Sequence, residues 1–124
     1  DTLEHMIRVR TMKFLGLARR AGEVVCGFDQ VQDLLLKGRG GSVLVARDGS
    51  LGGRKKIIRA ANGVSVVEVF DSAELSAAIG KENVVHVLVT RGKFSQHIIW
   101  YADVISCLQP IDLPGLDAGL SVAV

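Results

Sequence analysis

The chain has 124 residues, 48% of them apolar and 5% aromatic, and a formal net charge of +2. That length carries one domain with a full core. So few rings argue against a single-strand stacking platform, no apolar run is long enough to span a bilayer, and the acid-bearing first residues, with Asp1, Glu4 and His5, carry no secretory signal. Beginning at Asp1, the sequence reads as a processed chain or a domain cut from a longer protein, cytoplasmic in location.

Residues 6–21 read as the first helix, with Ile7, Thr11, Phe14, Leu15, Ala18 and Ala21 on one stripe at spacings of three and four. Arg8, Arg19 and Arg20 fall mainly off it, and Gly22 sits where a left-handed cap belongs. Val24-Val25-Cys26 is a minimal strand. Residues 28–37 form the second helix, buried through Phe28, Val31, Leu34 and Leu35, with Asp29 and Gln30 in its exposed first turn. Gly38 to Ser42 is a glycine-rich loop that fails as a phosphate-binding loop, because no Gly-Lys-Ser/Thr opens the next helix. Val43–Ala46 is a continuous apolar run, as a strand covered on both faces should be.

Asp48 and Ser50 offer capping oxygens for a third helix over 51–61, with Leu51, Ile57, Ile58 and Ala61 inward and Arg54, Lys55, Lys56 and Arg59 on its other face. Val64–Phe70 is the next strand. Ser72 caps a short helix through Ile79, closed by Gly80 and Lys81. Val84–Thr90 is a strand, and residues 93–108 form the last helix on Phe94, Ile98, Tyr101, Ile105 and Leu108. Residues 109–124 hold both prolines and read as an irregular tail lying against the body. Strict alternation of helix and strand predicts the α/β class, a three-layer α/β/α sandwich around a central four-stranded mixed sheet.

Charge is unevenly spread. Residues 1–59 hold 12 Lys and Arg against 6 Asp and Glu, whereas residues 60–124 hold 3 against 7. A basic first half suggests a face offered to a polyanion. The segment Arg19 to Gln30 is where that face has a receptor. Two arginines precede a tight turn and a short strand, and Gly27 then opens a helix whose first backbone N–H groups have no internal partners. Such an end receives phosphates or base-edge acceptors. Arg19, Arg20, Lys37, Arg39, Arg54 and Lys55 form the expected basic surround.

Catalytic signatures are missing. His5, His86 and His97 stand apart from one another in sequence, and there is no Gly-x-Ser-x-Gly or His-Glu-x-x-His. Cys26 and Cys107 fit no metal spacing and read as buried free thiols. No cofactor or metal is expected. An enzyme would need a pocket in which His86 or His97 meets a carboxylate.

The run Phe14-Leu15-Gly16-Leu17-Ala18-Arg19-Arg20-Ala21-Gly22-Glu23-Val24-Val25-Cys26-Gly27 resembles the opening of the ribosomal L-seven-Ae/L-thirty-e superfamily. The likeness continues through Val43–Asp48, Val67–Phe70, Leu75–Lys81 and Val89–Phe94, over about residues 14–105. It is nearest to a bacterial version that follows a separate small basic RNA-binding domain. The resemblance implies an α/β/α sandwich over residues 1–108 and non-catalytic binding of kinked RNA helices with sheared G·A pairs. It implies contacts from a Gly-x-Asn-Glu-x-x-Lys signature, which aligns with Gly27, Phe28, Asp29, Gln30 and Asp33, and from the loop at Ile79, Gly80 and Lys81. The sequence departs from that signature at three positions. Asp29 cannot donate a hydrogen bond when ionised, Gln30 can donate and accept, and Asp33 reverses a positive charge. The expected partners are structured RNA, ribosomal or other non-coding, with the ribosome or other proteins in addition, and no membrane. The alternative is a protein-protein interaction module on the same fold, suggested by the acidic second half and the apolar tail.

Overall fold

Residues 2–108 are described by the computed structural model of the chain; the expected tail, 109–124, lies outside the described residues. A long helix, α1 (Thr2–Arg20), opens the fold four residues earlier than its apolar stripe suggests. The extra turn rests on an ion pair, since Arg8 Nε donates to Glu4 at 2.7 Å. α1 ends as its glycine foretells. Gly22 takes a φ of 78°, the Gly22 N–H donates to Arg19 O, and the Glu23 N–H donates to Ala18 O, the paired bonds of a Schellman cap.

β1 (Val24–Cys26), α2 (Phe28–Leu36), β2 (Ser42–Val45), α3 (Leu51–Ala60) and β3 (Ser65–Val67) then follow as two successive strand-helix-strand crossovers. α4 (Ser72–Ile79), β4 (His86–Val89) and α5 (Lys93–Leu108) complete the order. The sheet runs β1-β4-β2-β3. β4 is antiparallel to both neighbours and β2 pairs with β3 in parallel, so β1, β2 and β3 all point one way and β4 alone is reversed. The three-layer sandwich follows from which side chains each face buries. Leu44, Val87 and Val89 join Leu15, Ala18, Leu75, Ile98 and Ile105 under α1, α4 and α5. Val43, Val45 and Leu88 join Val31, Leu35 and Ile57 under α2 and α3.

Several boundaries differ from the sequence reading. β3 stops at Val67, opposite Leu44 and one residue short of the end of its partner β2; beyond it a single bond from the Arg47 N–H to Phe70 O holds the two segments together. Glu68 instead reaches Arg54, and Phe70 turns into the core with the Arg8 guanidinium 5.5 Å from its ring centre. β4 is likewise shorter, its flanks being held by single bonds from the Ala46 N–H to Val85 O and from the Thr90 N–H to Glu23 O. Asp71, not Ser72, caps α4. Its side chain accepts from the Glu74 N–H while Glu74 accepts from the Asp71 N–H, a reciprocal capping box. Ser72, one residue inside, donates its hydroxyl to Val84 O. Asp48 caps no helix of its own but accepts from the Ser72 N–H at 2.8 Å. Of the four α3 residues expected inward, Ile57 and Ala61 are buried, with Ala60 beside them, whereas Leu51 and Ile58 are exposed. Cys107 is exposed, correcting the expectation of two buried thiols; Cys26 is half-buried, and both are free.

Candidate nucleic-acid interface

The topology makes one end of the sheet special. β1, β2 and β3 all finish there, so α2, α3 and α4 all begin there, and β4 enters there after the loop that follows α4. Three helix N-termini therefore gather at one rim, each the positive end of a dipole. Two of the three are closed by side chains. Ser50 Oγ accepts from the Gly53 N–H at 3.4 Å, and Asp71 serves α4. α2 has no side-chain cap. Its N-cap is Gly27, at φ 103° and ψ 141°, a conformation that L side chains rarely adopt. The glycine turns the chain sharply from β1 into α2 and leaves the first N–H groups open. Asp29 and Gln30 stand exposed in that first turn, as the sequence suggests.

In front of this end lies a groove of about 320 Å³, lined by Cys26, Gly27 and Phe28 on one side and by the 81–85 loop and His86 on the other. The left-handed cap at Gly80 (φ 80°) and a left-handed Asn83 (φ 56°) fold that loop back toward α2. Asn is among the few side chains that tolerate this region. His86 forms the groove's floor. It is 6% exposed, and its ring meets Phe28 edge-on at 5.5 Å. Its Nδ1 is buried with no hydrogen-bond partner. Burial pushes the imidazole below its ordinary pKa, so the ring is neutral near pH 7, with one nitrogen donating and one accepting. A buried polar atom without a partner is costly and rare.

The cations divide. The Lys81 ammonium and the Arg19 guanidinium both act on the Cys26 thiol, which places their charges around the groove. Burial outweighs their pull and raises the thiol pKa, so Cys26 stays protonated and is a poor nucleophile. Arg19 and Arg20 are exposed at the end of α1. Arg54 and Lys55 follow the start of α3, at the same rim, but Arg54 is tied to Glu68 at 2.9 Å. Lys37 and Arg39 lie past the other end of α2, on the order of 15 Å along its axis from Gly27, and Lys37 pairs with Asp33 at 3.0 Å. Ile79 is 1% exposed and belongs to the core, leaving Gly80 and Lys81 as the exposed part of that motif. Gly27, Phe28 and Lys81 are thus brought together, while Lys37 and Arg39 are not.

His86 is a residue that sequence reasoning weighed only as a base beside a carboxylate, not as part of the interface. Its place in an apolar strand reads as structural, and only the missing partner at Nδ1 sets it apart. Glu82 lines the same groove, yet His86 Nδ1 forms no bond to it. His97 stacks on Phe14 at 4.8 Å. Among the described residues no group of three His, Cys, Asp or Glu could hold a metal ion, and no helix is long and apolar enough to cross a membrane.

A reversed central strand between parallel neighbours, with an uncapped helix start at the rim, defines an α/β/α sandwich built to present backbone N–H groups. The chain belongs to the ribosomal protein L7Ae/L30e/S12e/Gadd45 family, whose model matches residues 10–99. Among solved structures it is similar to a protein of unknown function from Bacillus halodurans C, with a TM-score of 0.70 and 27% identity over 75% of this chain and 96% of that one. It also shares its fold with a 15.5kD RNA binding protein of Giardia lamblia, with a TM-score of 0.64 and 11% identity over 84% and 91% of the two chains. No curated protein matches the chain.

Proposed function

We propose that the chain is a non-catalytic RNA-binding domain that seats a kinked or unstacked segment of structured RNA at the start of α2. The observation that carries this reading is the uncapped α2 N-terminus opening on a groove lined by Phe28, Lys81 and His86. The open N–H groups suit phosphate or base-edge acceptors. A base freed from its stack would offer a flat face to Phe28. Lys81 and Arg19 carry the positive charge that the RNA backbone requires. Family membership and the RNA-binding neighbour in Giardia support the same reading. The fitting setting is cytoplasmic, in ribosome assembly or RNA processing.

The departures from the family signature bear on which RNA is bound. Asp33 places a negative charge one turn along α2, partly offset by Lys37. Exposed pairs of this kind contribute little, so the standard kinked helix is held more weakly here than by a lysine at position 33. The test is titration of structured RNAs at two salt concentrations. Binding should weaken with salt and weaken again in Arg19→Glu/Arg20→Glu; no binding at low salt refutes the proposal.

A protein-interaction module is the second reading. Its support is a row of exposed apolar side chains on α1, Leu3, Met6, Val9 and Leu17, with Trp100 exposed on α5. A stable complex whose interface covers this α1–α5 face, with no RNA bound at the α2 start, would favour it.

A further inference from the structure

α3 carries more positive charge than its own stability explains. Its sequence, Leu51 to Ala60, holds Arg54, Lys55, Lys56 and Arg59 and no acid. Only Arg54 has a carboxylate partner among the described residues. Lys55 and Arg59 are like charges four apart, an arrangement that destabilises a helix. Positions 52, 55, 56 and 59 recur at three and four residues, so Gly52, Lys55, Lys56 and Arg59 share one face, and all four are exposed. Gly52 is a poor helix former with nothing within 4 Å of where a Cβ would sit, so packing within the chain gives no reason for it. Local choices that oppose the fold mark sites selected for something else.

The same face borders a groove. α2 and α3 lie side by side with their starts at the same rim, and between them runs a cleft of about 360 Å³ lined by Phe28, Gln32, Leu36, Lys56, Arg59 and Ala60. No acid lines it. Phe28 also lines the groove in front of Gly27, so the two lie on either side of one ring. From Phe28 to Leu36 the cleft extends about 12 Å. Asp29 and Asp33 sit one position further round α2, and Asp33 is held by Lys37.

We infer that the α2–α3 cleft, with Lys56 and Arg59 on its α3 wall, is a track for the sugar-phosphate backbone of the RNA stem flanking the segment seated at Gly27. The inference rests on the RNA-binding reading and adds to it a second contact and a direction. Gly52 lets the backbone pass close to the start of α3, and the exposed Leu36 offers an apolar surface to a ribose.

The test uses the full chain and two RNAs sharing one tandem G·A internal loop, one with long flanking stems and one with the flanks trimmed. Binding is followed by fluorescence anisotropy between about 50 and 200 mM salt. Lys56→Ala/Arg59→Ala should weaken the long-flanked RNA roughly tenfold and reduce its log-log salt slope by about two. The trimmed RNA should bind the variant and the parent alike. Far-ultraviolet circular dichroism and an unchanged melting curve confirm that the variant folds, and Lys56→Glu/Arg59→Glu should deepen the same pattern. Equal loss for both RNAs, or no loss for either, overturns the track. So does a polyglutamate peptide that competes as well as RNA, which would mark a surface for acidic protein. Loss in Arg19→Glu/Arg20→Glu with none in Lys56→Ala/Arg59→Ala overturns the track and spares the RNA-binding reading. Parent protein that binds neither RNA removes both.

Discussion

Gly27→Ala tests the geometry on which the interface depends. Gly27 sits at φ 103° and ψ 141°, close to the region of backbone space reserved for glycine. An added Cβ would meet Gln30 Oε1 at 3.8 Å, an ordinary contact, so the cost is backbone strain and not a clash. Holding a non-glycine residue there costs about 1–3 kcal/mol. For a domain of this size each kcal/mol lowers the melting temperature by about 4 °C. Gly27→Ala should therefore melt at least about 4 °C below the parent in a calorimetric or circular-dichroism scan. It should also bind structured RNA less tightly at temperatures where it is fully folded, because relief of the strain rotates the first N–H groups of α2. A variant as stable as the parent would mean that the β1–α2 turn does not have this conformation, and the open helix start would go with it.

Gly52→Ala is the opposite case, a helical glycine in open space, and should raise stability by about 0.5–1 kcal/mol in the same scan. Glu74→Ala should cost about 1–3 kcal/mol by urea unfolding, since Glu74 closes the α4 capping box and accepts from Arg8 Nη1 at 3.0 and 3.1 Å. His86 is neutral in the folded chain and titrates at its ordinary value of 6.5 when unfolded. Below that value the unfolded state binds the extra proton, so stability is full above about pH 6.5 and falls as pH drops from there. His86→Leu should flatten that slope in pH-dependent urea titrations. Asp33→Lys removes one negative and adds one positive charge beside the site, and should raise RNA affinity severalfold with a salt slope steeper by about one.

How much of this was legible in the sequence differs by level. The element order was, because each helix carries a three-four stripe and each strand a short apolar run ended by glycine or a capping residue. Gly22 closes α1 as its position suggests. Strand ends were not, because they depend on pairing across the sheet and not on local pattern: Glu68 and Val69 look like strand, but Glu68 turns to Arg54 and the ladder ends at Val67. On α3, Ile57 and Ala61 were legible as inward, but Leu51 and Ile58 suggest an apolar face wider than the one the sheet meets. Among the site residues, the glycine before α2 was visible as a helix opening. Its convergence with Lys81 depends on β4 lying reversed between β1 and β2, which no local pattern shows. The spread of cations was misleading in part. Lys37 and Arg39 follow α2 in sequence and so lie at its far end, whereas Lys56 and Arg59, on the outer face of the third helix and not among the expected site residues, border a cleft that shares Phe28 with the groove.

The central claim is that the start of α2 and the groove before it receive RNA. The most direct measurement is a two-dimensional amide NMR titration with an internal-loop RNA, read together with the His86 ring signals. The account predicts that Phe28, Asp29, Gln30 and residues 81–86 shift first and most, and that the His86 imidazole signals move with them. Shifts confined to α1 and α5, with the α2 amides unmoved at saturation, would contradict it.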